Sequence, residues 1–294
     1  MQIASPAADR QVTEIPDFEL ATATVVDFDE IRERIYRDKI VVLKNQDLAV
    51  PEFVELGHRL GEPVPYYEPI YHHPDSPLVF VSSNIDHEGE RIGVPKTGAF
   101  WHADYQFMPK PFAFTVFYPQ KLPSRGRGTY FIDMAEAYRN LSPDLREQID
   151  GAYGYHSVRR YMKIRPGDVY RPLHEVIAEV EQRTPPQVFP AVGNHPVTGE
   201  RQLYLSEAFT YRLTDANGRS LGDELLRAVL AESGQLDNSY KHRNIFTRTY
   251  DPGDIVLWDN RALIHRALHN PSGEPTESYR VTVLDGRPLF EENR

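Results

Sequence analysis

The run Gly98–Phe107, GAFWHADYQF, sets His102 and Asp104 two residues apart among aromatic and small side chains. In an extended strand, residues i and i+2 point to one face. Imidazole and carboxylate would then stand side by side before a shared cavity. Such a pair makes either a buried ion pair or one edge of a metal site, and the spacing leaves both open. A second copy, His73-Pro74-Asp75, contains a proline, which cannot donate to a sheet ladder. That copy reads as a turn.

Two histidines and a carboxylate on one face of Fe(II) leave positions free for a co-substrate and oxygen. His102 and Asp104 would supply two of the three ligands. His265, at the end of GDIVLWDNRALIH, is a candidate for the third, with His269 four residues on. The chain has 11 histidines, so proximity in sequence decides nothing by itself. Arg280, in SYRVTVLDG, sits on a strand where Tyr279, Val281 and Val283 would face the other way. A guanidinium fork binds a carboxylate at two points. The distal carboxylate of 2-oxoglutarate needs such a clamp while its keto-acid end chelates iron. Thr129 could add a hydroxyl to the same carboxylate. Standing alone, Arg280 would read as an ordinary strand arginine.

The elements that must hold these residues are legible from periodicity. Asp27–Lys39 and Val50–Glu62 have helical spacing, and Ile40–Asn45 between them reads as a buried strand. From Leu78, the runs LVFVSS, FAFTVFYPQKLP and TYFIDM are β-branched and aromatic, broken by Pro and Gly, and are expected as strands. DMAEAYRNLSPDLREQIDG divides into two helices, with Ser142 as N-cap and Pro143 at the first helical position. Ser220–Ser233 is a further helix, and the last third returns to strands in IFTRTY, DIVLWDN, ALIHRAL and YRVTVLDG. Strands on both sides of the central helices predict one domain, residues 1–294, in which early and late strands share a sheet. The expected class is mainly β, a jelly roll with helical insertions.

Composition narrows the function classes. Hydrophobic residues make up 40% and charged residues 26% of the 294, which suits an ordinary globular chain. A formal net charge of −10 argues against a nucleic-acid partner. No apolar run is long enough for a membrane span, and the first 20 residues lack the pattern of a secretory signal. The absence of cysteine removes disulfides, thiolate metal sites and a Cys nucleophile. A cytoplasmic location is expected.

Together, WHADYQF, GRGTYF, PGDIVLWDNRALIH and SYRVTVLDG resemble the taurine/alkanoate dioxygenase family of Fe(II)/2-oxoglutarate oxygenases. The resemblance implies a double-stranded β-helix, with His102, Asp104 and His265 holding iron and Thr129 and Arg280 holding 2-oxoglutarate, O2 being the other co-substrate. The stretches VPYYEPIYHH, VPKTGAFWHADY, RGTYFID, KIRPGDVYRP and WDNRALIHRALH further resemble a narrower subgroup, the isonitrile-forming oxygenases of lipopeptide pathways. The implied substrate is a small dianion, an N-carboxymethyl-3-amino fatty acid such as 3-[(carboxymethyl)amino]butanoate. The product is the 3-isocyano acid plus carbon dioxide. Converting R–NH–CH2–COOH to R–NC and CO2 removes four hydrogens, so two 2-oxoglutarate and two O2 are consumed. In this reading Lys163, Tyr66 and Tyr67 hold a substrate carboxylate, His269 lies near the metal end, and Tyr71, Tyr105 and Arg165 are further contacts. Arg159, Arg160, Lys163, Arg165 and Arg171 crowd around a single acid, Asp168, and otherwise read as a solvated basic face. Two alternatives stand beside this: hydroxylation of another anionic alkanoate or sulfonate, and a jelly roll that binds zinc or a ligand without redox chemistry.

Overall fold

The structure, a computed structural model, describes residues 12–125, 128–268 and 273–291. The first helix, Val25–Asp38, begins at a capping box: the Thr24 main-chain N–H donates to Asp27 Oδ2 at 2.6 Å, and Asp27 N–H donates back to the Thr24 hydroxyl. Its buried face is Phe28, Ile31, Ile35 and Tyr36, a spacing of three and four. The second helix, Val50–Leu60, buries Phe53, Leu56 and Leu60. Both pack on Val41, Leu43, Val116, Val281 and Val283 of the larger sheet, forming one core cluster. Each such fully buried side chain stabilises the fold by roughly 1.5–3 kcal/mol. A charge at Val281 would break this layer.

The larger sheet runs Thr13–Ile15, Ile40–Leu43, Ile255–Asp259, Phe114–Lys121, Glu277–Leu284, Ser76–Ser83 and His72–His73, with Glu62–Pro63 also paired to Glu277–Leu284. Only the first pair is parallel. The expected sharing of early and late strands is therefore found twice. Ile40–Leu43 pairs with Ile255–Asp259, and Ser76–Ser83 with Glu277–Leu284. A smaller antiparallel sheet, Ile245–Thr249, Gly128–Asp133 and Leu263–Leu268, lies across it. Ile40, Val42, Val256 and Trp258 of the larger sheet meet Phe131 and Leu263 of the smaller one in a common core. This is a jelly roll with six α-helices among the described residues, none long and apolar enough to cross a membrane.

Several elements depart from the sequence expectation. The helix expected over Ser220–Ser233 is Asp223–Glu232, because Gly222 at φ 86° lies outside helical space. Leu173–Arg183 is a helix that its dense charges concealed; it buries only Val176 and Val180. Ser142 precedes the helix Pro143–Ile149 as expected, but its hydroxyl makes no capping bond. His73-Pro74-Asp75 is the tip of a hairpin, where Asp75 N–H donates to His73 Nδ1 at 3.1 Å.

Candidate metal centre

His102 and Asp104 do not lie on a regular strand. His102 forms a single two-way bridge to His265, with N–H to O distances of 3.0 and 2.8 Å. This bridge joins the Gly98–Phe107 run to the smaller sheet and sets the two imidazoles side by side, ring centroids 4.2 Å apart. Asp104 then opens a turn in which Tyr105 takes φ 55°. That conformation costs a bulky residue on the order of 1–3 kcal/mol and must be held by packing. The Tyr105 ring stacks on Tyr66 at 4.9 Å and meets Phe112 edge-on.

The donors of His102, Asp104 and His265 all lie within 4.8 Å of one another, and the three residues are buried. His102 Nε2 and His265 Nε2 each stand 3.7 Å from a different oxygen of Asp104. His102 Nδ1 is 2.8 Å from the Phe100 carbonyl. A carbonyl only accepts, so Nδ1 carries the proton and the Nε2 lone pair faces Asp104. The Tyr161 hydroxyl bonds the same carbonyl at 3.1 Å. Asn260 fixes the Asp104 main chain from both sides: its Oδ1 accepts from Asp104 N–H at 2.7 Å and its Nδ2 donates to Asp104 O at 2.8 Å. Thr115 donates to Asp104 Oδ2 at 2.7 Å.

Burial lowers the pKa of both histidines, which favours neutral imidazoles, and the neighbouring His102 lowers His265 further. Burial alone would raise Asp104, but the Arg280 guanidinium beside it holds its carboxyl below the usual range. Two neutral imidazoles and one carboxylate form the protonation state that binds a divalent cation without first releasing protons. The residues fit Fe(II), and the buried ion pair considered from the spacing requires a charged His102 that this site does not favour.

Arg280 reaches Asp104 through Nη1 and the Tyr105 hydroxyl through Nη2 at 3.1 Å, with its guanidinium 4.0 Å above the Phe80 ring. Tyr279, Val281 and Val283 face the helices, as the alternation predicts. Two cavities meet at Arg280, His102 and Gly98. One, of about 50 Å³, contains Thr129, Ser82, Thr97, Trp258, His265 and Ser278. The other, of about 70 Å³, contains Tyr66, Tyr71, Tyr105, Lys163, Lys96 and Tyr161, with Phe80, Phe107 and Phe209 as apolar wall.

The expected substrate contacts divide. Lys163, Tyr66, Tyr71 and Tyr105 line the second cavity. Tyr67 does not; it packs beside Tyr66 and Phe107. Arg165 is not brought to the cavity either. Its guanidinium bonds Asp168 and Glu179, both at 2.9 Å, and lies near Glu68. His269 lies outside the described residues. Sequence reasoning passed over Lys96, Asn260, Thr115 and Tyr161. Asn260 stood in the quoted WDNR run, but nothing local says that its amide clamps residue 104. A larger surface groove of about 610 Å³ is spanned by the protein's own ion pairs, Lys39 to Asp133 and to Glu200. Among the described residues no other cluster has metal-ligating geometry.

Comparison with known proteins agrees with this geometry. The profile of the taurine catabolism dioxygenase TauD, TfdA family matches residues 4–282. Pentalenolactone F synthase of Streptomyces arenae is 28% identical over 256 residues, covering 84% of this chain and 83% of that protein. The alpha-ketoglutarate-dependent sulfate ester dioxygenase of Pseudomonas putida is 28% identical over 302 residues, covering 93% of this chain and 84% of that one. Among solved structures, AAD-2 in complex with Mn(II) and N-oxalylglycine superimposes with a TM-score of 0.72 at 21% identity, covering 97% of this chain and 99% of that one. These relatives carry out different reactions by name, so similarity does not fix the substrate.

Proposed function

Because the chain belongs to the TauD, TfdA family of Fe(II)/2-oxoglutarate-dependent dioxygenases, we propose that its substrate is a small dianionic N-carboxymethyl-3-amino acid. The product is the 3-isocyano acid, formed by four-electron oxidative decarboxylation. The observation that carries this reading is the second cavity: Lys163 and three tyrosines, Tyr66, Tyr71 and Tyr105, line it together with the His102–Asp104 edge. An ammonium and phenolic hydroxyls are donors for a carboxylate.

In this reading His102, Asp104 and His265 hold Fe(II), and Thr129 and Arg280 hold 2-oxoglutarate. When bound, that pair supplies a two-electron oxidant for each O2 and 2-oxoglutarate consumed. The remaining work falls to the chain. Burial keeps the tyrosines protonated: Tyr66 and Tyr71 are pushed well above their ordinary value. They act as donors to an anion, not as bases. Lys163 neutralises one substrate carboxylate, and Phe80, Phe107 and Phe209 exclude water around the glycyl carbon. Two rounds at the same site remove four hydrogens from R–NH–CH2–COOH. The products are R–NC and CO2 from the substrate, with two succinates, two further CO2 and two waters.

A second reading, hydroxylation of another anionic alkanoate, sulfonate or sulfate ester, is favoured by the sulfate ester dioxygenase among the relatives. One experiment separates them: aerobic incubation with Fe(II), 2-oxoglutarate and 3-[(carboxymethyl)amino]butanoate, with products read by mass spectrometry. Isocyano acid with about two succinates per product is expected from the two-round balance. Succinate with a hydroxylated product, or no turnover of this acid beside turnover of an alkyl sulfate, would overturn the isonitrile reading.

A further inference from the structure

Ser278 lies two residues before Arg280 on Glu277–Leu284, so both project from the same face of the sheet. It sits opposite Ser82 on one neighbouring strand and Pro119 on the other. Its hydroxyl is buried, with only 2% of the residue exposed, and has no hydrogen-bond partner among the described residues. The same holds for Arg280 Nε and the Trp258 indole nitrogen. All three residues line the 50 Å³ cavity that contains Thr129 and His265. The other hydroxyls there are engaged: Thr129 with Tyr250, and Thr97 with Ser82 at 2.8 Å.

Buried polar groups are normally satisfied, and each orphan costs free energy. Arg280 Nε and the indole nitrogen are donors with no acceptor capacity, and the serine hydroxyl can donate as well. A ligand that satisfies all three is acceptor-rich and carries no donor of its own. A carboxylate has that character, with about four lone-pair sites on two oxygens. We propose that Ser278 is a co-substrate-positioning residue, donating a hydrogen bond to the distal carboxylate of 2-oxoglutarate beside Arg280. This rests on the assignment of Arg280 and Thr129 to that co-substrate. Ser278 opens the SYRVTVLDG run, yet neither the resemblance nor the spacing assigns it a role.

The test is calorimetric binding to the Mn(II)-loaded protein, where no turnover intervenes. Two acids are compared: 2-oxoglutarate and 2-oxopentanoate, which has a methyl where the distal carboxylate would be. Ser278→Ala should weaken 2-oxoglutarate by about tenfold or more, as for a hydrogen bond to a charged group. It should leave 2-oxopentanoate within about twofold, and Ser278→Thr should retain most of the affinity. The ligand-free Ser278→Ala protein should melt no lower than the wild type, since an unpartnered buried hydroxyl is removed. Unchanged 2-oxoglutarate affinity in Ser278→Ala, or equal loss of both acids, overturns the proposal while leaving Arg280 in place. If the wild type binds 2-oxopentanoate as tightly as 2-oxoglutarate, the Arg280 assignment falls as well.

Discussion

Two cationic regions flank the site, and they differ in what their charges face. Arg165 and Arg171 share Asp168 and Glu179 in a closed network at 2.7–2.9 Å, and Arg159 pairs with Glu181. Arg280 and Lys163 instead line cavities; Arg280 pairs with Asp104 through Nη1 but keeps Nε without a partner among the described residues. By composition the first region is the richer in positive charge, yet its charges are already answered. A count of cations along a chain therefore says little about where an anion binds. Availability matters more, and distant carboxylates decide it.

The sharpest way to break this contrast is Arg280→Ala. Removing one partner of a buried pair leaves Asp104 uncompensated and costs about 3–5 kcal/mol. Succinate formation at limiting 2-oxoglutarate should fall by at least about a hundredfold, and thermal stability should drop with it. A variant that keeps normal kcat/KM for 2-oxoglutarate would show that Arg280 is only structural. Next in size is Lys163→Met, which keeps the apolar stem and removes the charge. The KM for the dianionic substrate should rise by about ten- to a hundredfold, the range for a charged hydrogen bond. The Kd for 2-oxoglutarate, read by calorimetry, should not move.

On the other side, Arg165→Ala should change kcat/KM for either substrate by less than about twofold, because its guanidinium is engaged by Asp168 and Glu179 away from the cavity. An increase in substrate KM comparable to that of Lys163→Met would restore Arg165 to the cavity and erase the contrast. The smallest effect is a pH signature. Hydrogen bonds from the Arg165 side chain and main chain hold the Asp168 carboxyl at about 2, against an ordinary 3.8. A depressed folded-state pKa contributes stability above the unfolded value and loses it as pH falls through the folded value. The wild type should thus exceed Asp168→Asn in Tm at neutral pH by a constant margin, which narrows between about pH 4 and pH 2. A margin that is flat across that window would mean the network does not hold the proton off Asp168.

Two copies of His-x-Asp show how far reading the chain could go. Proline in His73-Pro74-Asp75 marked a turn, and a hairpin tip is what stands there. His102 and Asp104 were expected on a strand. In fact one bridge and the left-handed Tyr105 hold them, and neither leaves a trace in residue type. Tyr66, Tyr71 and Tyr105 reach the cavity but Tyr67 does not. Adjacent residues on one short stretch diverge in this way whenever packing alone chooses the inward face.

Side-chain chemistry and local period are properties of the chain itself. From them follow the strand runs, the two amphipathic helices and the common, helix-covered face of Tyr279, Val281 and Val283, whereas the candidate ligand set His102, Asp104 and His265 is what the family resemblance implies. Which groups find partners depends on segments far apart in sequence, and only their packing settles it. Asn260 reaches Asp104 across 156 positions and Glu68 meets Arg183 across 115. Ser278 faces a cavity with a hydroxyl that has no partner among the described residues. Burial and hydrogen-bond satisfaction come from long-range contacts, and so the donors that face a cavity were decided by the tertiary structure.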